Sequence, residues 1–259
     1  MSYKLTEFDG VSLPSYNRES GLDTAPPLDG FVATVMGGYD SYQTDIAPMA
    51  TPYPLSVRGI VSAETDADQR AAIDGLRALG RRRGQLIRVA EDDDSEQFCY
   101  ARLQQIAHRR IAGINGYQVL ELVFLIESGW YEERPSQQEV MSSSPHTLSV
   151  ENAGNRMVAD AVLTVSADDA NLTAVTLTTT NGTHLVWTGT VLAGDDLVID
   201  CGAKSVTNDG ANAYSGLSYG ANHSIDDWLR VEGEMDITIA YTGGGTSPTV
   251  TIAYNDGWA

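Results

Sequence analysis

The sequence of 259 residues predicts a mainly β protein with a single helix, divided into two domains. Two observations predict this class. Most apolar stretches are short, rich in Val and Thr, and bounded by Gly, Asn or Asp, which is the pattern of strands and turns. The composition also changes near residue 135: residues 1–135 carry 13 basic and 20 acidic side chains, whereas residues 136–259 carry 3 and 15. We therefore expect domains at 1–135 and 151–259, joined by a linker at 136–150.

One segment of the first domain has the spacing of an amphipathic helix, and Thr65 and Asp68 form a variant of the capping box at its start. Its apolar residues are Ala72, Ile73, Leu76 and Leu79. Three arginines follow, where cations suit the helix dipole: Arg81, Arg82 and Arg83. They are either a solvated helix end or an intersubunit contact with an acidic neighbour. We keep them as candidate contacts.

Extended segments dominate the rest of the first domain. The candidate strands span 54–61, 85–89, 98–107 and 117–126. The segment 40–54 is rich in Tyr, Pro and polar residues, which indicates an extended arm or a long loop. Three tyrosines in or beside it are candidate intersubunit contacts: Tyr39, Tyr42 and Tyr53.

The second domain is predicted to be nearly all β. Before it, Pro135 and Pro145 restrict their preceding residues to extended backbone, and the serines at 142–144 offer nothing to pack, which is typical of a linker. The candidate strands that follow span 162–166, 172–179, 184–187, 197–200, 235–241 and 249–254. Turn signals separate them at a spacing of roughly ten residues, as in a β-sandwich or jelly roll.

The charge balance excludes some classes of function. The net charge is −19 and the isoelectric point is near 4.3, which argues against a nucleic-acid backbone or an anionic membrane surface as the binding partner. The sequence has no run of ~18 apolar residues and no secretory signal at its start, so we expect no membrane anchoring. Cys99 and Cys201 have no CxxC partner, and we expect small buried thiols.

Catalytic and metal-binding signatures are missing from the sequence. The four histidines are far apart, and none has a ligand partner at the third or fourth position after it. The acidic run at 91–96 lacks the spacing of a calcium loop, so a solvated hairpin tip is favoured over a metal loop. We therefore expect no enzyme activity, no metal and no cofactor.

Four aromatic residues of the second domain have two alternative roles. Exposed rings on a sandwich can stack on sugars, whereas buried rings form its core. The candidates are Trp187, Tyr214, Tyr219 and Trp228.

The second half resembles the C-terminal domain of siphophage distal tail proteins. The resemblance rests on the segments 152–155, 187–200, 206–212, 228–233 and 250–254, followed by Trp258. The first half is similar to the N-terminal domain of the same family, with an early hairpin at 8–11, the single helix, and long strands that end at 128–131. One turn departs from the family pattern, because Glu232, Gly233 and Glu234 stand where the pattern usually has Pro-Gly-Asn.

The resemblance implies a structural role in the virion. It implies a tail-tube-like β-barrel or sandwich with a helix in the N-terminal domain, and a galectin-like or carbohydrate-binding-module-like β-sandwich in the C-terminal domain. Such proteins form a homohexameric ring at the phage tail tip, between the tail-tube protein and the tail-tip hub protein. The outer domain docks receptor-binding or side-fibre proteins, and DNA passes through the lumen without specific binding. The chain would be made in the host cytoplasm.

Two other hypotheses stay open at this point. A carbohydrate-binding module fused to an adaptor domain would bind host-surface glycans as a monomer. A glycan hydrolase of the tail tip would need paired carboxylates, which 35 acidic residues provide by chance. The ring hypothesis is favoured because it accounts for both domains.

Overall fold

The computed structural model of the chain describes residues 3–13, 18–19, 52–62, 65–80, 82–90, 94–110, 117–219, 228–243 and 247–258. It divides into two compact units, Met1–Glu132 and Glu133–Trp258. Each unit is built around its own set of buried apolar side chains. No helix in the described part of the chain is long and apolar enough to cross a membrane.

The described residues of the N-terminal unit form an antiparallel sheet and one helix. Its elements are β1 (Tyr3–Phe8), β2 (Val11–Ser12), β3 (Arg18–Glu19), β4 (Tyr53–Ser62), α1 (Asp66–Ala78), β5 (Arg83–Ala90), β6 (Glu96–Arg110), β7 (Tyr117–Ile126) and β8 (Trp130–Glu132). The strand order is β2-β1-β5-β6-β7-β4-β3, and β8 pairs with the start of β6 beyond the end of β7. All four strands predicted for this unit are present as β4, β5, β6 and β7.

The first hairpin has the tight turn that its sequence predicts. Phe8 pairs with Val11, and the two residues between them, Asp9 and Gly10, have φ angles of 49° and 79°. Two positive φ angles in a two-residue loop match the twist of the flanking strands, which explains the Asp-Gly pair. The Phe8 ring packs edge-on against Phe124 of β7, with 5.1 Å between ring centroids.

Helix α1 begins at the predicted cap. The backbone N–H of Asp68 donates to Thr65 Oγ1 at 3.1 Å, and the Thr65 hydroxyl donates to the Asp68 carboxylate at 2.6 Å. Ile73, Leu76 and Leu79 are buried on one face, so the helix is held to the sheet by its apolar stripe.

The C-terminal unit contains two antiparallel sheets and a short final strand that belongs to neither of them. Its strands are β9 (Gln137–Val140), β10 (His146–Glu151), β11 (Val162–Ser166), β12 (Leu172–Thr179), β13 (His184–Val191), β14 (Asp196–Asp200), β15 (Ser205–Asn208), β16 (Ala211–Asn212), β17 (Leu217–Tyr219), β18 (Glu234–Gly243), β19 (Thr249–Ala253) and β20 (Asp256–Trp258). One sheet has the order β10-β18-β12-β13-β17, and the other has β16-β15-β14-β11-β19-β9. A single 3₁₀ turn, Tyr214–Gly216, precedes β17 among the described residues.

The two sheets enclose one core, as alternating burial along the strands requires. In one sheet, Leu163 lies opposite Ile199 on one side and Ile252 on the other, and all three are buried. Leu177 and Ile239 of the other sheet are neighbours across β12 and β18 and belong to the same core. The predicted mainly β class with one helix and a C-terminal β-sandwich is therefore confirmed.

The structure corrects the prediction of a linker at 136–150, because most of this segment is folded into the sandwich. β9 pairs with β19 at the edge of one sheet, and β10 pairs with β18 at the edge of the other. Met141 and Leu148 are fully buried. The Ser144 hydroxyl also bonds to both the backbone N–H and the carbonyl of Tyr241. The Ser-Pro stretch that suggested a linker is a connection between two edge strands.

Candidate functional site

The described residues contain no group of three or more His, Cys, Asp or Glu side chains that could hold a metal ion. Both cysteines are buried. Burial raises the pKa of the Cys201 thiol to about 12, so the thiol stays protonated and unreactive at neutral pH.

Tyr53, a predicted contact residue, is anchored in a buried polar network. Its hydroxyl accepts a hydrogen bond from Trp130 Nε1 at 3.2 Å. The Arg88 guanidinium lies over the Trp130 ring, 4.0 Å from the centroid, and donates to Gln97 Oε1 at 3.0 and 2.9 Å. The half-buried Tyr53 ring is thus held in place while part of it faces outwards. Tyr39, Tyr42 and nearly all of the predicted arm at 40–54 lie outside the described residues.

The described arginines of the predicted cluster lie in two different elements, the turn after α1 and strand β5. Arg81 lies outside the described residues, and Arg82 is exposed in the turn after α1. Arg83 opens β5, where its Nε lies 3.3 Å from Glu127 Oε2 and its guanidinium covers the exposed Tyr100 ring at 4.3 Å. Glu127 also pairs with Arg102. Arg83 is therefore part of a charged sheet surface, and Arg77 is the cation in the last turn of the helix.

A groove of about 530 Å³ runs between α1 and the sheet of the N-terminal unit. We call it the cationic groove. Its walls carry Arg70, Arg77, His108 and Arg109, and its remaining lining is Ile73, Asp74 and Gln118. Three arginines against one carboxylate give this groove a positive charge in a strongly acidic chain.

Hydrogen bonds fix the centre of the cationic groove. Arg77 Nη1 donates to Asp74 Oδ1 at 3.1 Å, and Arg77 Nη2 lies 3.0 Å from His108 Nε2. Because a guanidinium only donates, Nε2 accepts, and His108 Nδ1 carries the proton that it donates to Gln118 Oε1 at 3.1 Å. Arg70 and Arg109, by contrast, have no hydrogen bond or ion pair with any described residue.

The four candidate sugar-stacking residues separate into two pairs. Trp187 and Trp228 are each 3% exposed and belong to the sandwich core, which is the alternative that the sequence left open. Tyr214 and Tyr219 are half-buried, and their hydroxyls lie 3.2 Å apart. Only the two tyrosines of this set have ring surface that a ligand can reach.

The start and the end of the sandwich are tied together by the motif at 152–155. Buried Asn152 accepts hydrogen bonds from the backbone N–H groups of Gly154 and Gly257 at 3.1 and 3.0 Å, and donates to the carbonyl of Arg156 at 2.6 Å. Asp256 Oδ1 accepts from the backbone N–H of Ala153 at 2.9 Å. These bonds give Asn152 and Asp256 a structural role, which is to hold the first and last segments of the sandwich together.

Three loops bring carboxylates together at one end of the sandwich. The backbone N–H of Ala167 donates to the carbonyl of Asp195 at 3.0 Å, and that of Asp209 donates to the carbonyl of Asp196 at 2.9 Å. The turn before Asp195 carries Leu192, which is 54% exposed. We call this surface the acidic tip. It comprises Asp168, Asp169, Leu192, Asp195, Asp196 and Asp209.

Sequence reasoning missed both the cationic groove and the acidic tip. Arg70, Asp74 and Arg77 follow the i, i+4, i+7 spacing of one helix face, which was a usable signal for one wall of the groove. The other wall comes from β6 and β7, and the tip combines loops that are far apart in the chain. Only the fold brings those residues together.

The fold and these surfaces define a two-unit β protein whose candidate sites suit macromolecular partners. Residues 155–258 match the family model described as siphovirus-type tail component, C-terminal domain. Over these residues the C-terminal unit is similar to that family, and the predicted resemblance to siphophage distal tail proteins is confirmed. A component of this kind is a phage tail protein, which also confirms the predicted virion localisation.

The chain is also similar to solved structures of phage proteins. The Dit protein (gp 19.1) of phage SPP1, described as a paradigm of the hub adsorption apparatus in phages that infect Gram-positive bacteria, has a TM-score of 0.63 and 15% identity. The match covers 98% of this chain and 99% of the Dit chain, so the fold extends through both units. A chain of the activated phage p2 baseplate with Sr has a TM-score of 0.43 and 9% identity, over 80% of each chain. No curated protein sequence matches the chain.

Proposed function

We propose that the chain forms a hexameric ring at the distal end of a phage tail and joins the tail tube to the tail-tip hub. The observation that carries the proposal is the shared fold with SPP1 Dit over nearly the whole chain, combined with the tail-component family of the C-terminal unit. The Dit protein is described as a hub of an adsorption apparatus. A structural role of the same kind accounts for a chain whose described residues offer surfaces and no metal cluster.

In this proposal the two units have different tasks. The N-terminal unit builds the ring around the channel through which DNA passes without specific binding, and the C-terminal sandwich is an outer platform for receptor-binding or side-fibre proteins. Tyr53, Arg82 and Arg83 are the described residues that we assign to contacts between subunits or with neighbouring tail proteins. Each is at least partly exposed, and the side chains of Tyr53 and Arg83 are oriented by hydrogen bonds or ion pairs.

The mass of the purified protein in solution tests the proposal. Six copies of the 27.8 kDa chain weigh about 167 kDa, and negative-stain images of the same sample should show closed rings. A chain that stays monomeric at every concentration and binds glycans contradicts the proposal. If that binding is lost on Tyr214→Ala and Tyr219→Ala substitution, the result supports a carbohydrate-binding module instead.

A further inference from the structure

Strand β6 extends beyond its neighbour on one side. β5 begins at Arg83, opposite Arg102, and pairs with β6 only from Glu96 to that point. β7 pairs along the other side of β6 as far as Arg110. The stretch 103–110 therefore has β7 along one edge and no strand of the described chain along the other. We call this second side the free edge of β6.

Hydrogen bonds in the first half of β6 show which backbone groups point to which side. The carbonyl of Ser95, just before the strand, accepts from the backbone N–H of Ala90 on the β5 side. The carbonyl of Tyr100 accepts from the backbone N–H of Glu127 on the β7 side. Because these groups alternate along a strand, even-numbered residues of this half point towards β7 and odd-numbered ones towards β5.

A β-bulge then reverses this alternation. The register with β7 shifts by one residue between Leu103 and Gln105. Beyond the bulge, the backbone groups of Ile106 and His108 therefore point to the free edge. Neither residue has a hydrogen bond from its backbone N–H or carbonyl on that side to any described residue. The free edge thus offers two donors and two acceptors at the spacing of a strand.

Helix α1 stands beside the free edge and leaves a gap there. Arg77 Nη2 lies 3.0 Å from His108 Nε2 across the gap. Arg77 borders both the cationic groove of about 530 Å³ and an adjoining hollow of about 340 Å³, which is also lined by Gly80, Gln104 and Ile106. The two spaces together follow the free edge between the helix and the strand.

We propose that this gap binds an extended segment of another polypeptide, which pairs with the free edge of β6 as an added strand. Main-chain hydrogen bonds to Ile106 and His108 would hold the segment, as in other cases of strand addition to an open sheet edge. A helix or a nucleic-acid duplex cannot present alternating N–H and carbonyl groups at this spacing. The inference goes beyond the proposed ring and does not depend on it.

The position of α1 restricts the occupant to a single segment with no strand on its far side. The helix lies where the next strand of a sheet would have to lie. Every strand of the described chain already pairs within a sheet, so the described part of a second copy has no suitable segment. The partner is therefore a terminus or loop of a different protein.

Arg77 determines the side-chain chemistry of that segment. Its guanidinium donates to a neutral imidazole, that of His108, and to the exposed carboxylate of Asp74, and the Arg77 side chain is itself 53% exposed. A carboxylate on the entering segment would replace His108 as the acceptor. Charge-assisted hydrogen bonds are roughly twice as strong as neutral ones, so an acidic side chain is favoured at this point.

A library of random peptides of about eight residues, fixed on beads and screened against the fluorescently labelled full chain, supplies the probe. The tightest-binding sequence is then made as a free peptide, and its Kd is measured by fluorescence anisotropy. We expect the selected sequences to be rich in β-branched residues, as strands are, and to share one Asp or Glu.

Methylation of the peptide's own amide nitrogens tests the strand pairing. Successive N–H groups of a strand point to opposite sides, so only those of one parity face β6. Methyl groups at two central residues of that parity should raise the Kd by at least ~10-fold, because each removes a donor at the contact. The matched control is the same peptide methylated at the other parity, which should bind as the unmodified peptide does.

One substitution in β6 tests the protein side of the same bonds. Ile106→Pro removes an N–H of the free edge that the pairing with β7 does not use, and should weaken binding by at least ~10-fold. Ile106→Val keeps the N–H and should bind as the unaltered chain does. Hydrogen exchange of the unaltered chain gives an independent readout: the peptide should slow exchange in 103–110 and leave 117–126 unchanged.

A double-mutant cycle tests the role of Arg77. Arg77→Gln and replacement of the peptide's acidic residue by its amide should each weaken binding by about two- to fivefold, as for an exposed ion pair. The two changes together should cost little more than either one alone, because both remove the same contact.

Several outcomes overturn the inference. A library without a binder does so, as do two methylated peptides that bind equally well or hydrogen-exchange protection that lies outside 103–110. Protection of 103–110 that rises with the concentration of the chain alone would assign the free edge to a second copy. None of these results bears on the mass of the assembled protein, so the proposed ring is tested separately.

Discussion

At Gly154 the backbone of the C-terminal unit passes so close to Gly257 that no side chain fits between them. A Cβ atom at position 154 would lie 1.8 Å from the carbonyl oxygen of Gly257. Because the obstacle is backbone that Asn152 holds in place, the strain cannot be relieved by turning a side chain. We expect Gly154→Ala to lower the free energy of unfolding by about 1–3 kcal/mol, measured by denaturant unfolding.

Gly75 provides the matched control for the same chemical change. It lies within α1, and a Cβ atom there would meet nothing within 4 Å. Gly75→Ala should raise the free energy of unfolding by up to about 1 kcal/mol, because alanine loses less backbone entropy in a helix. If the Gly154→Ala protein were as stable as the unaltered chain, the backbone at 152–156 would have to shift away from Gly257 at little cost in free energy.

The role of a single aromatic residue, in the core or at the surface, could not be predicted from the sequence. The sequence around Trp187 suits either an exposed ring or a core ring. The structure places the ring over Gly189, where a Cβ atom would lie 2.5 Å from it, and Trp187 Nε1 donates to the carbonyl of Ala213 at 3.1 Å. Gly189 lies two residues further along the same strand, but Ala213 lies in a segment distant in sequence. The residue type alone therefore could not decide between the two roles.

At the scale of elements, the edge strands of the sandwich have the most direct experimental consequence. β9 and β10 complete one edge of each sheet, and they bring Met141 and Leu148 into the core. A chain that begins at residue 133 should fold and unfold cooperatively. A chain that begins at residue 151 should not, because each lost core side chain costs about 2–5 kcal/mol.

The emission of the buried Trp187 and Trp228 during urea unfolding measures this difference. The longer fragment should give a single sharp transition, and the shorter one a broad or absent transition. Equal midpoints for the two fragments would mean that the segment 133–150 adds nothing to the sandwich, contrary to its pairing with β18 and β19.

Most of the elements that could be predicted are long enough to show a period, whereas β10, which is six residues long, was assigned to the linker because of the Ser-Pro stretch before it. The predicted strands at 162–166 and 172–179 coincide with β11 and β12, where buried and exposed positions alternate. β16, β17 and β20 are only two or three residues long, and no alternation can be recognised over that length. The predicted strand at 184–187 coincides with the first half of β13, which continues past Gly189 to Val191.

At the scale of the whole molecule, the net charge is expected to determine the affinity of the chain for DNA. A net charge of −19 opposes the phosphate backbone, and the cationic groove is a local exception. We expect no retention of a short DNA duplex at about 0.15 M salt, where charges are screened beyond ~8 Å. Fluorescence anisotropy of a labelled duplex tests this, with a basic DNA-binding protein as the positive control. Saturable binding at that salt concentration would contradict the proposed passage of DNA without specific contacts.

The cationic groove and the acidic tip could not be predicted from the sequence, because each combines segments that are far apart in the chain. The cationic groove joins a helix to strands that begin at residues 96 and 117, and the acidic tip joins three loops between residues 167 and 210. The composition does show the underlying asymmetry, because the second half has 3 basic residues against 15 acidic ones. Composition gives the overall sign of the charge, whereas the fold determines where side chains of like charge gather.

The two edge strands at the start of the sandwich, β9 and β10, limit where recombination between phage genes can separate the C-terminal unit from the rest of the chain. A recombination event that moved the C-terminal unit to another tail protein would deliver a working module only if its crossover fell near residue 133. A crossover in the Ser-Pro stretch at 142–145 would omit β9 from the transferred segment. The recipient protein would then have a sandwich in which the edge of β19 is unpaired. Mosaic genomes that carry this module should therefore have their junctions before Gln137 and not within the serine run.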